Sequence, residues 1–213
     1  MSTATTILSD EAPSVLSLHT GDLWAKLFGK SKSDTVRHEP PYLALAKTGD
    51  ENALAQFYAE YKEPVWRLCR RLLRREADAE DVLQTTFVKA FSALPQFRGE
   101  ASLKTWLFRI AVNEAITLLR RRDSACLSTT DDAAEEMIAP DVMSDTERVA
   151  VRALVSSLKP DFRTVLILRY WEELSYEEIA SVLSLPLPSV KMRLHRAKEA
   201  FRELYTGGTE KTK

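Results

Sequence analysis

LSYEEIASVLSLPLPSVKMRLHRAKEAF, residues 174–201, decides how this chain folds. Ser175 followed three residues later by Glu178 is a capping box, the signature of a helix start. It opens a short amphipathic helix that runs to about Ser184. Pro186 and Pro188 punctuate the next few residues, and a second helical pattern runs from about Pro188 to Leu204. In that second helix Val190, Leu194, Ala197 and Phe201 fall within about 60° of one another at 3.6 residues per turn, so they face inward. A short helix, a tight turn and a longer helix make a helix-turn-helix. The outward face presents Met192, His195 and Glu199, flanked by Lys191, Arg196, Lys198 and Arg202. Two readings fit such a face. It is the charged outside of a small bundle, or it lies in a DNA major groove, with its first turns against base edges and its cations against phosphates.

The charge pattern of the whole chain sharpens the question. The 213 residues carry a formal net charge of only −1, yet the charges are segregated. Residues 62–75 hold Lys62, Arg67, Arg70, Arg71, Arg74 and Arg75 against Glu63, and residues 98–122 hold six bases against Glu100 and Glu114. Residues 123–147 hold eight acids and no Lys or Arg, after which Lys191, Arg193, Arg196, Lys198 and Arg202 face Glu199 alone. Basic blocks flank an acidic one. Basic faces attract polyanions, although each block taken singly is equally an ordinary solvated helix face.

Helical periodicity runs through most of the chain, and no stretch alternates as a strand does. The expected class is therefore all-α, in two small lobes joined by an acidic flexible linker, the C-terminal lobe being the helix-turn-helix. Residues 1–41 form an extension, rich in Ser and Thr, with a short apolar stretch of Leu23, Trp24, Leu27 and Phe28 suited to docking or regulation. Residues 42–122 form the first lobe. Asp50 caps a helix carrying Leu54, Phe57, Tyr58, Tyr61, Val65, Leu68 and Leu72 on one face, interrupted at Pro64. Asp78 caps the next, with Val82, Leu83, Phe87, Ala90, Phe91 and Leu94 inward, and Pro95 ends it. Ser102 caps a third that runs to Arg122, where three arginines suit the negative pole of the helix. Residues 123–143 lose periodicity and read as the linker. Residues 144–206 form the second lobe: Ser144 to Glu147 is a capping box, Pro160 suits a first helical turn, and Phe162, Val165, Leu166 and Tyr170 make a buried stripe. Residues 207–213 are a tail.

Other chemistry is thin. No apolar run approaches the roughly 20 residues of a membrane helix, and the N-terminus lacks the basic-then-apolar start of a signal peptide. Cys69 and Cys126 lie far apart, which suits a reducing cytoplasm better than a disulfide framework. His19, His38 and His195 do not sit at metal-ligand spacing from either cysteine. Neither a phosphate-binding glycine loop nor a hydrolase motif is present. No cofactor, no metal and no enzymatic activity are expected.

Two stretches carry a resemblance. LRYWEELSYEEIASVLSLPLPSVKMRLHRAKEAFREL, residues 168–204, resembles the C-terminal domain of bacterial extracytoplasmic-function (ECF) sigma factors of the sigma-70 family. DAEDVLQTTFVKAFSALPQFRGEASLKTWLFRIAVNEAITLLRRR, residues 78–122, resembles the second conserved region of the same group, in the family's order and with the acidic segment between. The match spans about residues 42–206. It departs from the family pattern at Ser184, where a glycine is usual and a different turn is therefore expected. Pro188-Ser189 stands in place of Gly-Thr, with Ser189 as a cap, and Met192 in place of a common serine.

The resemblance implies an alternative sigma factor. Such a protein binds core RNA polymerase, directs it to promoters through the −10 and −35 elements and helps open the DNA. It acts in the cytoplasm without a stable homo-oligomer. Many relatives are held by an anti-sigma factor, often a membrane-bound one, and the lobes of the free form are able to pack together. By resemblance, Ser189, Lys191, Met192, His195, Arg196 and Lys198 approach the −35 duplex. Phe97, Arg98, Ser102, Arg109, Asn113, Arg120 and Arg121 meet the −10 element, whose melted bases need a pocket. Read from the residues alone, Asn113 is a helix-interior asparagine satisfied by nearby backbone, and Trp106 is core. Asp81, Gln84 and Phe87 fall where the family binds the polymerase clamp helices, although Phe87 shares a buried stripe with Leu83 and Phe91. The linker, at most roughly 70 Å long when extended, corresponds to the segment that follows the RNA-exit path. Two other readings of the helix-turn-helix stay open on the residues: a regulator that binds DNA without polymerase, and an adaptor that binds polymerase without reading DNA.

Overall fold

In the computed structural model the described residues are 40–124 and 145–209. The expectations for the extension with Trp24 and Phe28, for the linker acids and for the Ser144 cap lie outside them. The described residues form eight α-helices and one 3-10 turn, with no strand among them. In the N-terminal lobe these are α1 (Leu43–Lys47), α2 (Glu51–Leu72), α3 (Glu76–Ala93), the 3-10 turn Leu94–Gln96 and α4 (Leu103–Ser124). In the C-terminal lobe they are α5 (Asp145–Ser157), α6 (Pro160–Tyr170), α7 (Tyr176–Leu183) and α8 (Leu187–Thr209). No helix among the described residues is long and apolar enough to cross a membrane.

The N-terminal lobe is built on three long helices, α2, α3 and α4, that pack on one another. Asp50 caps α2 as expected, its carboxylate accepting from the Ala53 N–H at 2.8 Å. Pro64 does not end the helix, which continues through it to Leu72. A proline inside a helix costs about 3 kcal/mol, and the wholly buried Val65, Leu68 and Cys69 that follow it offset that cost. Phe57 is the hub of the core: its ring centroid lies 6.1 Å from Phe87, 6.1 Å from Phe91 and 5.3 Å from Tyr61. Tyr58, expected in the same stripe, is exposed and meets only the edge of that cluster, at Phe87.

Asp78 does not cap α3. The helix begins at Glu76, with Arg75 at the N-cap position and no side-chain cap. Asp78 is buried inside the first turn, where Arg122 pairs with it at 2.5 Å. The aspartate thus ties the start of α3 to the end of α4. An arginine within reach binds a carboxylate more strongly than a backbone N–H does, which is why the cap pattern misled.

In the C-terminal lobe α8 buries Val190, Leu194, Ala197 and Phe201, the set expected from the spacing. Helix α6 exceeds its expected stripe. Val165, Leu166, Ile167 and Leu168 are all 0% exposed, while Phe162 and Tyr170 are only half-buried. Four consecutive buried residues point all round the helix. The cause is that α6 packs on α8 within its own lobe and on α2 of the other.

The turn of the helix-turn-helix keeps the shape a glycine would give it. Ser184 adopts the left-handed conformation, φ 53° and ψ 44°. The Leu185 N–H donates to the Ala180 carbonyl at 3.0 Å and the Ser184 N–H to that of Ser181 at 3.3 Å, the paired bonds of a Schellman motif. The expectation of a different turn is corrected. The bonds that close the turn hold the serine in a conformation its Cβ disfavours by roughly 1–2 kcal/mol. Ser184→Gly should therefore stabilise the protein by about 0.5–1 kcal/mol, since part of the relief is lost to the freer unfolded chain. Urea denaturation followed by circular dichroism checks this, and a loss of stability would contradict it.

Candidate nucleic-acid interface

The C-terminal face starts at the turn. Helix α8 begins at Leu187, and the Pro186 carbonyl accepts from the N–H groups of Ser189 (2.9 Å) and Val190 (3.2 Å). Ser189 is therefore inside the first turn and not its cap. Pro188 sits where its missing N–H would have had no partner anyway. Ser189, Lys191, Met192, His195 and Arg196 are exposed, and they span roughly 10 Å of helix at 1.5 Å per residue. That length suits a major groove about 12 Å wide. Met192, with 54% of its surface exposed, is a large apolar side chain in the middle of the face. His195 Nδ1 lies 3.3 Å from a Glu199 carboxylate oxygen, which orients the ring and leaves Nε2 outermost. Lys198 departs from the group. Its ammonium sits 5.5 Å from the centre of the Tyr170 ring, and burial, with Arg169 nearby, lowers its pKa. It packs back toward α6.

The N-terminal face starts at the loop after the 3-10 turn. Gly99 turns the chain with φ 71°, a conformation glycine adopts at no cost. Ser102 then caps α4: its hydroxyl accepts from the Thr105 N–H at 3.1 Å and lies 2.8 Å from the Thr105 hydroxyl. That hydroxyl is committed to the fold. Gln96, Phe97, Arg98, Glu100, Ala101, Trp106, Arg109 and Ser181 line a cleft of about 380 Å³. The aromatic expectations exchange places here. Phe97 is 8% exposed and forms the floor, its ring 5.2 Å from that of Trp106. Trp106 is half-buried and lines the cleft instead of vanishing into the core. A tryptophan on a helix otherwise rich in core residues carries no sequence signal for this.

From the cleft, α4 carries an exposed stripe. Arg109, Asn113 and Arg120 recur within about 40° of one another at 3.6 residues per turn, and all are exposed, as are Arg98 and Arg121. Asn113 lies in the interior of α4, as expected, with its side chain exposed. On α3, Asp81 and Gln84 are exposed, whereas Phe87 is 3% exposed inside the aromatic cluster. Val88, with 66% of its surface exposed, holds the place beside Gln84 that Phe87 cannot. Its spacing of four from Gln84 and seven from Asp81 was the available signal.

Two family models match the chain: Sigma-70 region 2 over residues 57–125 and Sigma-70 region 4 over residues 148–201. The ECF RNA polymerase sigma factor SigW of Bacillus subtilis is 31% identical over 170 residues, 74% of this chain and 91% of the relative. This chain belongs to the ECF sigma factors. It is an RNA polymerase sigma factor, a non-enzymatic initiation factor that recognises promoters through regions 2 and 4. Among solved structures, this sigma factor is similar to CnrH in complex with the cytosolic domain of CnrY. The TM-score is 0.59 at 28% identity, covering 78% of this chain and 96% of CnrH. It is also similar to the sigma factor RpoE in complex with the anti-sigma factor NepR from Bartonella quintana. There the TM-score is 0.59 at 25% identity, covering 71% of this chain and 96% of that one.

The cap and the stripe separate by substitution. Ser102→Ala should destabilise this sigma factor by about 1 kcal/mol, while Arg109→Ala, at an exposed position, should leave stability within about 0.5 kcal/mol. Thermal denaturation of the two variants side by side checks the distinction; equal losses would contradict it.

Proposed function

We propose that the N-terminal lobe, residues 42–122, holds the −10 element as melted single strand. The C-terminal lobe, residues 144–206, reads the −35 element as duplex, and the acidic segment 123–143 links the two readers. The observation that carries this is the cleft on the N-terminal lobe. It has an aromatic floor and wall in Phe97 and Trp106, cations at Arg98 and Arg109, and an exposed stripe leading away along α4. Its volume lies in the range of small-molecule sites, roughly 300–1,000 Å³, which is room for a base with its sugar. Base–aromatic stacking contributes about 1–3 kcal/mol per base, so Trp106 supplies the face. Asn113, both donor and acceptor, suits a base edge, and Arg109, Arg120 and Arg121 suit phosphates.

On the C-terminal lobe Arg196 is matched to guanine acceptors and Lys191 to a base or phosphate. Met192 and His195 lie over thymine methyls and sugars. Ser189, near the helix start, lies close to the phosphate backbone. Asp81, Gln84 and the exposed Val88 form the polymerase-binding face, with Phe87 holding it from behind. The likeness to RpoE bound to NepR supports an anti-sigma factor as a further partner. A promoter-binding protein of this kind works in the cytoplasm.

Run-off transcription with core polymerase on pooled genomic promoters tests the assignment. Discrete starts dependent on this sigma factor are expected, and their upstream sequences define both elements. Asn113→Ala should lower open-complex formation by about fivefold or more, about 1–3 kcal/mol, with polymerase affinity unchanged. Val88→Asp should do the reverse, weakening polymerase binding at least about tenfold. If Asn113→Ala transcribes normally, the −10 assignment is wrong.

A further inference from the structure

Among the described residues two side chains carry sulfur, Cys69 and Met192, and the fold places them in opposite ways. Cys69, on α2, is 0% exposed, and burial pushes its thiol up to about 12. A covered, protonated thiol is inert, because the thiolate is the reactive form. Met192, on α8, is 54% exposed. A thioether has no proton to lose, so its oxidation depends on access and not on ionisation. The accessible sulfur therefore stands in the middle of the exposed face of α8, beside Lys191, His195 and Arg196. Met1, Met137, Met143 and Cys126 lie outside the described residues.

What this sulfur can do against DNA is narrow. A thioether is a weak acceptor and no donor, so it reads by apolar contact. The apolar group that a base presents in the major groove is the C5-methyl of thymine. Oxidation to the sulfoxide turns the same side chain into a polar one. Its oxygen, pressed against a methyl group, loses water without gaining a partner. His195 and Arg196 follow Met192 by three and four positions, the spacing at which side chains on a helix meet. The sulfoxide oxygen thus also competes for the guanidinium donors of Arg196 that suit guanine.

We propose that Met192 is a modification site, and that oxidation of its thioether by a hydroperoxide switches off −35 reading by α8. The sulfur lone pair attacks one oxygen of hydrogen peroxide. An S–O bond forms as the O–O bond breaks, and the proton on the transferred oxygen passes to the departing one, which leaves as water. Sulfur loses two electrons and the peroxide gains them. Methionine sulfoxide reductases reverse the change. The inference rests on the reading of α8 as the −35 helix, and it leaves the polymerase-binding face of the other lobe untouched.

The test treats the full chain with hydrogen peroxide, removes the excess with catalase and adds core polymerase and the mapped promoter. Peptide mass spectrometry should find one added oxygen on Met192. The concentration needed for half-maximal transcript should rise about fivefold or more, with polymerase affinity unchanged, and methionine sulfoxide reductases should restore the starting value. Met192→Leu, measured against its own untreated activity, should not respond to peroxide through this helix. Deoxyuridine in place of each −35 thymine in turn removes one methyl. At one position it should weaken the untreated protein and leave oxidation little further effect. Met192 left unoxidised, transcription unchanged after its oxidation, or an equal loss in Met192→Leu would overturn the switch and leave the sigma reading standing. Deoxyuridine without effect at every position would overturn the methyl contact beneath it. If the untreated protein yields no transcript with core polymerase, the sigma reading itself fails.

Discussion

A helix buried on every side needs a neighbour on every side, and α6 depends on that constraint more than any other element. Its four central residues, Val165 to Leu168, are completely covered. Fully burying such side chains contributes roughly 1.5–3 kcal/mol each, more than either lobe supplies through caps or surface pairs. Helix α8 covers one side and thereby fixes the recognition face; α2 covers another and thereby fixes how the lobes meet. The exposed face of α8 and the relation between the two lobes share one hydrophobic helix.

Around that helix the forces change character. Each lobe has an apolar interior, aromatic around Phe57 in the first and aliphatic around α6 and α8 in the second. Where the lobes meet beside α6, Arg71 and Lys104 of the N-terminal lobe converge on Glu172, Arg74 donates to the Ser156 carbonyl, and Arg163 of the C-terminal lobe donates to the Leu72 carbonyl at the end of α2. Arg163 is buried with its Nε unpaired, a cost that an optimised permanent interface would remove. The lobes are thus strongly built and modestly joined, which suits a protein whose two halves act at separate places on DNA.

Much of the interface was legible because helical spacing and capping chemistry are local. The buried face of α8, the capping box at Ser175 and Glu178 and the Asp50 and Ser102 caps all follow from residues within about three turns of each other. The misreadings share a different cause. Asp78 has the chemistry of a cap but meets Arg122, 44 residues away. Phe97 is buried and Trp106 only partly so, the two rings packing 5.2 Å apart although nine residues separate them. Lys198 leaves the exposed group of α8 for the Tyr170 ring of another helix. Phe87 is drawn into the cluster around Phe57, and Val88 takes the exposed place.

The order of residues alone determined the helical class, the position of the helix-turn-helix, the segregation of charge and the family to which the chain belongs, since each is written in patterns a few residues long. The tertiary structure decided which side chain of each pattern faces solvent and that Glu172 sits among cations of the other lobe. Those outcomes depend on contacts between residues as many as a hundred positions apart. Long-range burial and pairing select among several locally equivalent choices, and no short pattern records the selection.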